Sequence, residues 1–354
     1  MYEYLHGGDI YSARRMTGGQ EIIDFSSNIN PAGLSDRALD AISHAARLCS
    51  RYPDPFCRDL TSAISEYEKV DKSWIFCSNG ASEIIFRLAL AFKPKKALIL
   101  APTFSDYGRA LGTVDCKVVR YGLKAENGYM VGSDFLEKIE EDIDMIFLCN
   151  PNNPTGELTS GDFIGRILER CRGSGAIVVA DECFIDFVDD PSVFSARKYL
   201  NAWDSLVILK AFTKLFAMPG IRLGYAMTSS TGIIDRLRAS GQDWAVSVIA
   251  EAAGMAVLGD REYLPRTRQL VREERCFLRS EIEKLGFKVY GSRANYIFFR
   301  AFGMNDLDGR LLRRGILIRS CSNYHGLDGT YYRVAVRTRA ENMRLIEEFR
   351  NILT

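Results

Sequence analysis

Apolar runs in this 354-residue chain, such as KALIL and MIFLC, fall far short of the roughly 18 to 20 residues needed to cross a bilayer, so no membrane span is expected. The opening stretch MYEYLHGGDI has no basic segment followed by an apolar one, so no secretory signal is read there and a cytoplasmic protein is expected. Excess positive charge is also missing: 46 Lys and Arg face 45 Asp and Glu. That balance argues against holding a nucleic-acid backbone or an anionic membrane, and any anionic ligand must be met by locally placed arginines. Nine cysteines, an odd number with no C-x-x-C pair, argue against a disulfide framework and a structural zinc site. Histidine is scarce, and His6, His44 and His325 show no ligand spacing, so no metal site is expected. The motifs G-x-x-x-x-G-K, H-E-x-x-H and G-x-S-x-G are absent, and SARK (195–198) fits S-x-x-K without that motif's usual partners.

What is present is an ordinary globular composition, 47% hydrophobic, with enough length for one large domain and a smaller one. From about residue 60, short β-rich runs alternate with helical ones: SWIFCSNG, KALILAPTF, CKVVRYGL, DMIFLCNPNNP, AIVVADECF, SLVILKAF and IRLGYAMT. Between them lie amphipathic segments such as SEIIFRLALAF and DFIGRILERCRG. The pattern predicts an α/β fold in which a mostly parallel seven-stranded sheet lies between helices. Near residue 240 the character changes to long helix, with Leu270, Val271, Phe277, Leu278, Ile282 and Leu285 read as one stripe ending at Gly286. A compact α+β tail follows, with strands NYIFFRAF, GILIRSC and YYRVAVRT and a terminal helix AENMRLIEEFRNIL. The expected organisation is an arm (1–30) packing on the tail or cleft, a large domain (31–240), and an interdomain helix with a small domain (241–354).

Open parallel sheets bind ligands at the carboxyl ends of their strands. There the sequence places SNGASE, whose Gly80, Ala81 and Ser82 amides can cradle a phosphate at a helix start. NPNNPTG forms a rigid turn that can aim Asn153 into a cleft. DECFIDF ends an apolar strand on Asp181, where a buried carboxylate requires a cationic or hydrogen-bonding partner. TKLFAMPGIRLG sets Lys214 after a hydroxyl and eight residues before Arg222. Singly, each also reads as a cap, a turn or an ion pair.

Together, in this order on these strands, the four motifs resemble the fold type I pyridoxal-phosphate enzymes of the class I/II aminotransferase superfamily. The resemblance implies that Lys214 takes the cofactor aldehyde and then serves as acid or base, and that Asp181 pairs with the pyridinium nitrogen. It implies that Asn153 bonds the phenolic oxygen, that Phe104 stacks on the ring, and that Thr213, Arg222 and Gly80 to Ser82 hold the cofactor phosphate. Tyr52 matches a tyrosine that reaches this phosphate from the other subunit of a homodimer. Two positions depart from the family pattern: Phe184 stands where aminotransferases often have tyrosine, and Ala211 where a hydroxyl is usual.

The terminal segments HGGDI, DFSSNINPAG and IRSCSNYHGLDGTYYRVAVRT look like the threonine-phosphate decarboxylase group, kin to the histidinol-phosphate aminotransferases. The resemblance assigns Arg337 to a substrate carboxylate and Arg319, helped by His6 and Asn30, to a substrate phosphate. It implies decarboxylation of L-threonine O-3-phosphate. Histidinol-phosphate transamination and serine-phosphate decarboxylation are alternatives, and a cofactor-binding regulator on the same fold is disfavoured because no DNA-binding segment is evident.

Overall fold

The computed structural model describes residues 6–354. Seven strands form the large sheet: β1 (Ile75–Ser78), β2 (Lys96–Ala101), β3 (Lys117–Gly122), β4 (Met145–Cys149), β5 (Ile177–Asp181), β6 (Leu206–Ala211) and β7 (Gly224–Met227). Their order is β1-β7-β6-β5-β4-β2-β3, and only β7 runs antiparallel to its neighbours. Except in the edge strand β3, which is largely exposed, the strand sequences show no alternation because both faces are covered. Leu98, Leu100, Ile146, Leu148, Val178, Ala180, Leu206 and Ile208 belong to one core. Their neighbours Ala97, Ile99, Met145, Phe147, Ile177, Val179, Val207 and Leu209 belong to the other. Successive residues point to opposite faces, so each strand supplies two cores at once.

A second sheet is antiparallel, in the order β10-β11-β9-β8, with β8 (Lys288–Tyr290), β9 (Tyr296–Arg300), β10 (Arg319–Ser320) and β11 (Tyr331–Ala335). One face packs Val289, Ile297, Phe299, Tyr332 and Val334 against helices Tyr263–Lys284 and Arg339–Leu353. The opposite face, carrying Tyr290, Tyr296, Phe298 and Tyr331, joins the core of the large sheet. Arg333 has the parity of Tyr331, so strand geometry turns it toward the large sheet.

The segment GILIRSC, expected as one strand, is two. Ile316–Leu317 pairs in parallel with Ile23–Asp24, and Arg319–Ser320 pairs with β11 in the other sheet. The long helix does stop before Gly286, whose φ of +85° suits the glycine that follows a helix end. Its buried stripe differs from expectation: Val271, Leu278 and Ile282 are joined by Tyr263, Thr267, Glu274 and Arg275, while Leu270, Phe277 and Leu285 are half-buried. Glu274 is tolerated because Arg339 (2.9 Å) and the Asn342 amide (2.9 Å) bond its carboxylate. No helix among the described residues is long and apolar enough to cross a membrane.

Gly224, the first residue of β7, lies so close to the helix Ala81–Phe92 that a β-carbon would stand 2.5 Å from the Ala81 nitrogen and 3.0 Å from the Lys210 carbonyl oxygen. Backbone atoms on both sides leave nothing flexible to yield. Gly224→Ala should therefore cost about 1–3 kcal/mol in urea denaturation. Gly112→Ala, which meets nothing within 4 Å, should leave the midpoint unchanged or raise it.

Candidate active site

The carboxyl ends of β1, β2, β4, β5 and β6 open onto one cavity of about 600 Å³. It brings together His6, Ala81, Ser82, Phe104, Asn153, Asp181, Phe184, Ala211, Thr213, Lys214 and Arg222 from widely separated motifs. Arg222 shares this edge because it precedes β7, which runs opposite to the other strands.

Asp181, buried at the end of β5, has both oxygens engaged. Oδ2 accepts from the Tyr107 hydroxyl at 2.6 Å and Oδ1 from the Cys183 amide at 3.1 Å. The NPNNPTG turn is locked by its own asparagines. Asn150 donates to the carbonyls of Thr159 (2.8 Å) and Phe194 (2.9 Å), and Asn152 to that of Pro102 (3.0 Å), which leaves Asn153 to face the cavity. Asn153 Oδ1 accepts from an Arg333 Nη1 that sequence reasoning did not place here.

Lys214 stands on a single helical turn, Phe212–Leu215, just after β6, with its amine 5.7 Å from the Phe184 ring centre. Burial, then the Arg333 guanidinium, and further off that of Arg222, press its pKa down to about 8. A usable fraction of the amine is therefore neutral near physiological pH. Around Arg222 the fit is steric: a β-carbon on Gly80 would lie 2.7 Å from its guanidinium. Gly80 itself does not line the cavity; its bare Cα, at a φ of +84°, lets Arg222 come up against the start of the helix Ala81–Phe92. The Ala81 and Ser82 amides at that start have no intrahelical acceptor, so the first turn is a ready anion cup.

Four expected residues lie elsewhere. Arg337 is outside the cavity. It stands past the end of β11, where Glu341 of the following helix captures it (2.6 and 2.9 Å) and the Asp24 carbonyl accepts at 3.1 Å. The arginine of this strand that lines the cavity is instead Arg333, which is buried and donates also to the Ser26 carbonyl at 2.7 Å. Asn30 is likewise structural: its amide nitrogen donates to the Leu215 carbonyl (2.7 Å), Tyr263 (2.9 Å) and Thr267 (2.9 Å). Asn28, two residues earlier, faces the cavity, and its Oδ1 has no partner among the described residues. Tyr52 is 79% exposed, with its ring tilted against that of Trp244 at 4.6 Å between centres, away from the cavity of its own chain. Arg319 lines an adjoining cavity and donates to Asn323 at 2.7 Å.

Sequence reasoning also missed Asp106 and Tyr107, both on the helix Ser105–Gly112 that Phe104 precedes. Burial raises the Asp106 pKa, but His6 (3.0 Å), Ser82 (2.9 Å) and Arg109 (3.1 Å) outweigh it and hold the carboxylate below its usual range. Asp106 thus ties the amino-terminal arm to the anion cup. Tyr107, stacked on Phe147 at 4.9 Å, fixes Asp181. SARK takes no part in the cavity: Ser195 bonds Glu182 at 2.8 Å and Lys198 bonds Asp162 at 2.6 Å.

The sequence profile described as aminotransferase class I and II matches residues 20–349. The chain belongs to that family. As a class I and II aminotransferase family member, it has enzymes as relatives, and the family depends on pyridoxal phosphate. It is 37% identical to threonine-phosphate decarboxylase of Salmonella typhimurium, over 100% of this chain and 98% of the other. It is 29% identical to a histidinol-phosphate aminotransferase of Symbiobacterium thermophilum, over 100% and 96%. Among solved structures, a decarboxylase from Sulfurospirillum multivorans is similar with a TM-score of 0.88 at 27% identity, covering 100% of this chain and 94% of that one.

Because Arg333 is a leading electrostatic cause of the low Lys214 pKa, Arg333→Gln should raise it. Acylation of the cofactor-free protein, followed at Lys214 by peptide mapping across pH, should show a midpoint near 8 in the wild type and a higher one in the variant. An unmoved midpoint would contradict the coupling.

Proposed function

We propose that the protein is a pyridoxal-phosphate-dependent decarboxylase that converts L-threonine O-3-phosphate to 1-amino-2-propanol O-2-phosphate and carbon dioxide. The observation that carries this reading is Arg333. It is a buried guanidinium with the polarity and position to take a carboxylate beside Lys214, and its Nε has no partner among the described residues.

The cavity fits the cofactor on its own evidence. Gly80 leaves room for Arg222 against the helix start, the Lys214 amine is partly neutral, and Asp181 stands fixed at the end of an apolar strand. In this reading Ala81, Ser82, Thr213 and Arg222 hold the phosphate, Phe104 lies against the ring and Asn153 bonds its phenolic oxygen. Pyridoxal phosphate, when bound, supplies a ring that withdraws the electrons of a broken bond at Cα. Asp181 keeps a proton on the pyridine nitrogen, and its bonds from Tyr107 and Cys183 hold the carboxylate in place. Arg333 binds and orients the substrate carboxylate, which departs as carbon dioxide and leaves its electron pair at Cα. Lys214 delivers a proton to that carbon. His6 and Asn28 face the cavity from the amino-terminal arm and, with Arg319 next door, serve the substrate phosphate.

The full-length likeness to threonine-phosphate decarboxylase supports the choice of substrate. A missing methyl group discriminates by only about 1–3 kcal/mol, so serine phosphate should be a slow alternative. We further assign the protein to the cytoplasm and to a homodimer in which the exposed Tyr52 reaches the cofactor phosphate of the other subunit.

Cofactor-loaded protein given L-threonine O-3-phosphate should release carbon dioxide and the amine phosphate in equal amounts. Arg333→Gln should lower kcat/KM by about 10- to 100-fold, the cost of losing a charge-assisted pair. Brisk amino transfer from histidinol phosphate to 2-oxoglutarate, with no carbon dioxide from threonine phosphate, would replace this reading with a transaminase.

A further inference from the structure

A second cavity, of about 250 Å³, shares Phe104 and Tyr324 with the first. Arg109, Arg120 and Arg319 line it, with Asn323 and His325, and no Asp or Glu does among the described residues. The three guanidiniums come from three separate elements: the helix Ser105–Gly112, β3 and β10. Arg109 is already shared between Asp106 (3.1 Å) and His6 (3.3 Å), and Arg319 donates to Asn323 and lies 5.3 Å from the Tyr324 ring centre. Arg120 is different. It is exposed, and among the described residues it has no hydrogen bond or ion pair; Gly108 leaves its guanidinium clear, since a β-carbon there would still be 3.8 Å away.

Three like charges converging on a cavity without a lining carboxylate repel one another, and a bound anion relieves that repulsion. Guanidiniums arriving from different directions suit a tetrahedral oxyanion, whereas a planar carboxylate needs only one fork. At about 30 Å³ per water, the space holds a phosphoryl group with several waters. The chain is nearly neutral as a whole, so this local excess is not a by-product of composition. We propose that this cavity is an anion-binding lobe adjoining the candidate active site, built for a phosphoryl group, with Arg120 as its available cation. That the phosphoryl group belongs to substrate rests on the decarboxylase reading; the lobe itself does not.

Calorimetric titration of the cofactor-loaded protein with inorganic phosphate at low ionic strength tests it, because the bound cofactor fills the cup at Arg222. Arg120→Gln should weaken phosphate binding by at least about fivefold, while Arg172→Gln, an exposed control of equal charge change, should not alter it. Kinetics with L-threonine O-3-phosphate then separate the sources of the anion. A raised KM with kcat held within about twofold assigns the lobe to substrate, and an unchanged KM with weakened phosphate binding assigns it to free phosphate. Phosphate affinity within about 1.5-fold of wild type in Arg120→Gln, or no measurable phosphate binding to the wild type, would overturn the lobe. Arg120-dependent phosphate binding in a protein that never turns over threonine phosphate would sink the decarboxylase reading and leave the lobe standing.

Discussion

Burial of the Lys214 amine, reinforced by the nearby guanidiniums of Arg333 and Arg222, is the constraint around which the cavity is organised. An isolated lysine would stay protonated and inert as a nucleophile at neutral pH. Partial burial beside two permanent cations shifts the balance toward the neutral amine. The cations can be held that close only because other groups fix them. Arg333 is tied to Asn153 and to the Ser26 carbonyl, and Arg222 lodges where Gly80 has no side chain. Lys210, only four residues before Lys214, shows the opposite outcome. Buried beside Asp186 at 2.6 Å and Glu68 at 3.8 Å, it has its pKa raised and stays charged.

The fold supplies these neighbours from far apart in sequence. Six strand ends share one edge of the large sheet, β7 returns Arg222 to that same edge, and one face of the small sheet presses Arg333 in from the other side. The amino-terminal arm is tied down at two points: Ile23–Asp24 pairs with Ile316–Leu317, and His6 bonds Asp106 on the helix after β2. The cavity is thus walled by elements from both ends of the chain.

Much of this is legible in the sequence. Six of the seven strands of the large sheet are short, mostly apolar runs whose length and flanking turn residues mark them as buried strands, and only the edge strand β3, KVVRYG, is largely exposed. Residues at or just after the ends of those runs, Asn153, Asp181, Thr213 and Lys214, face the cavity. The substrate side was harder because parity and position within a strand decide it. YYRVAVRT holds two arginines four residues apart, and nothing in the string says that the strand ends between them. A signal was nonetheless available: an arginine inside an apolar strand must have buried partners, whereas one just before a helix with glutamate at its third position has an obvious local one. Asn28 and Asn30 lie two apart in the irregular segment after the Ser26–Ser27 bend, so alternation could not separate them. Only the hydrogen bonds of Asn30 to Leu215, Tyr263 and Thr267 do so. Asp106 and Tyr107 were unreadable for a similar reason, since their partners Ser82 and Asp181 are 24 and 74 residues away.

The central claim is that Lys214, and not the more deeply buried Lys210, is the amine that this cavity makes reactive toward an aldehyde. Borohydride reduction of protein reconstituted with pyridoxal phosphate, followed by peptide mass mapping, addresses it directly. The account predicts one equivalent of reduced cofactor on the peptide carrying Lys214. Label on Lys210, or none on either residue, would contradict it.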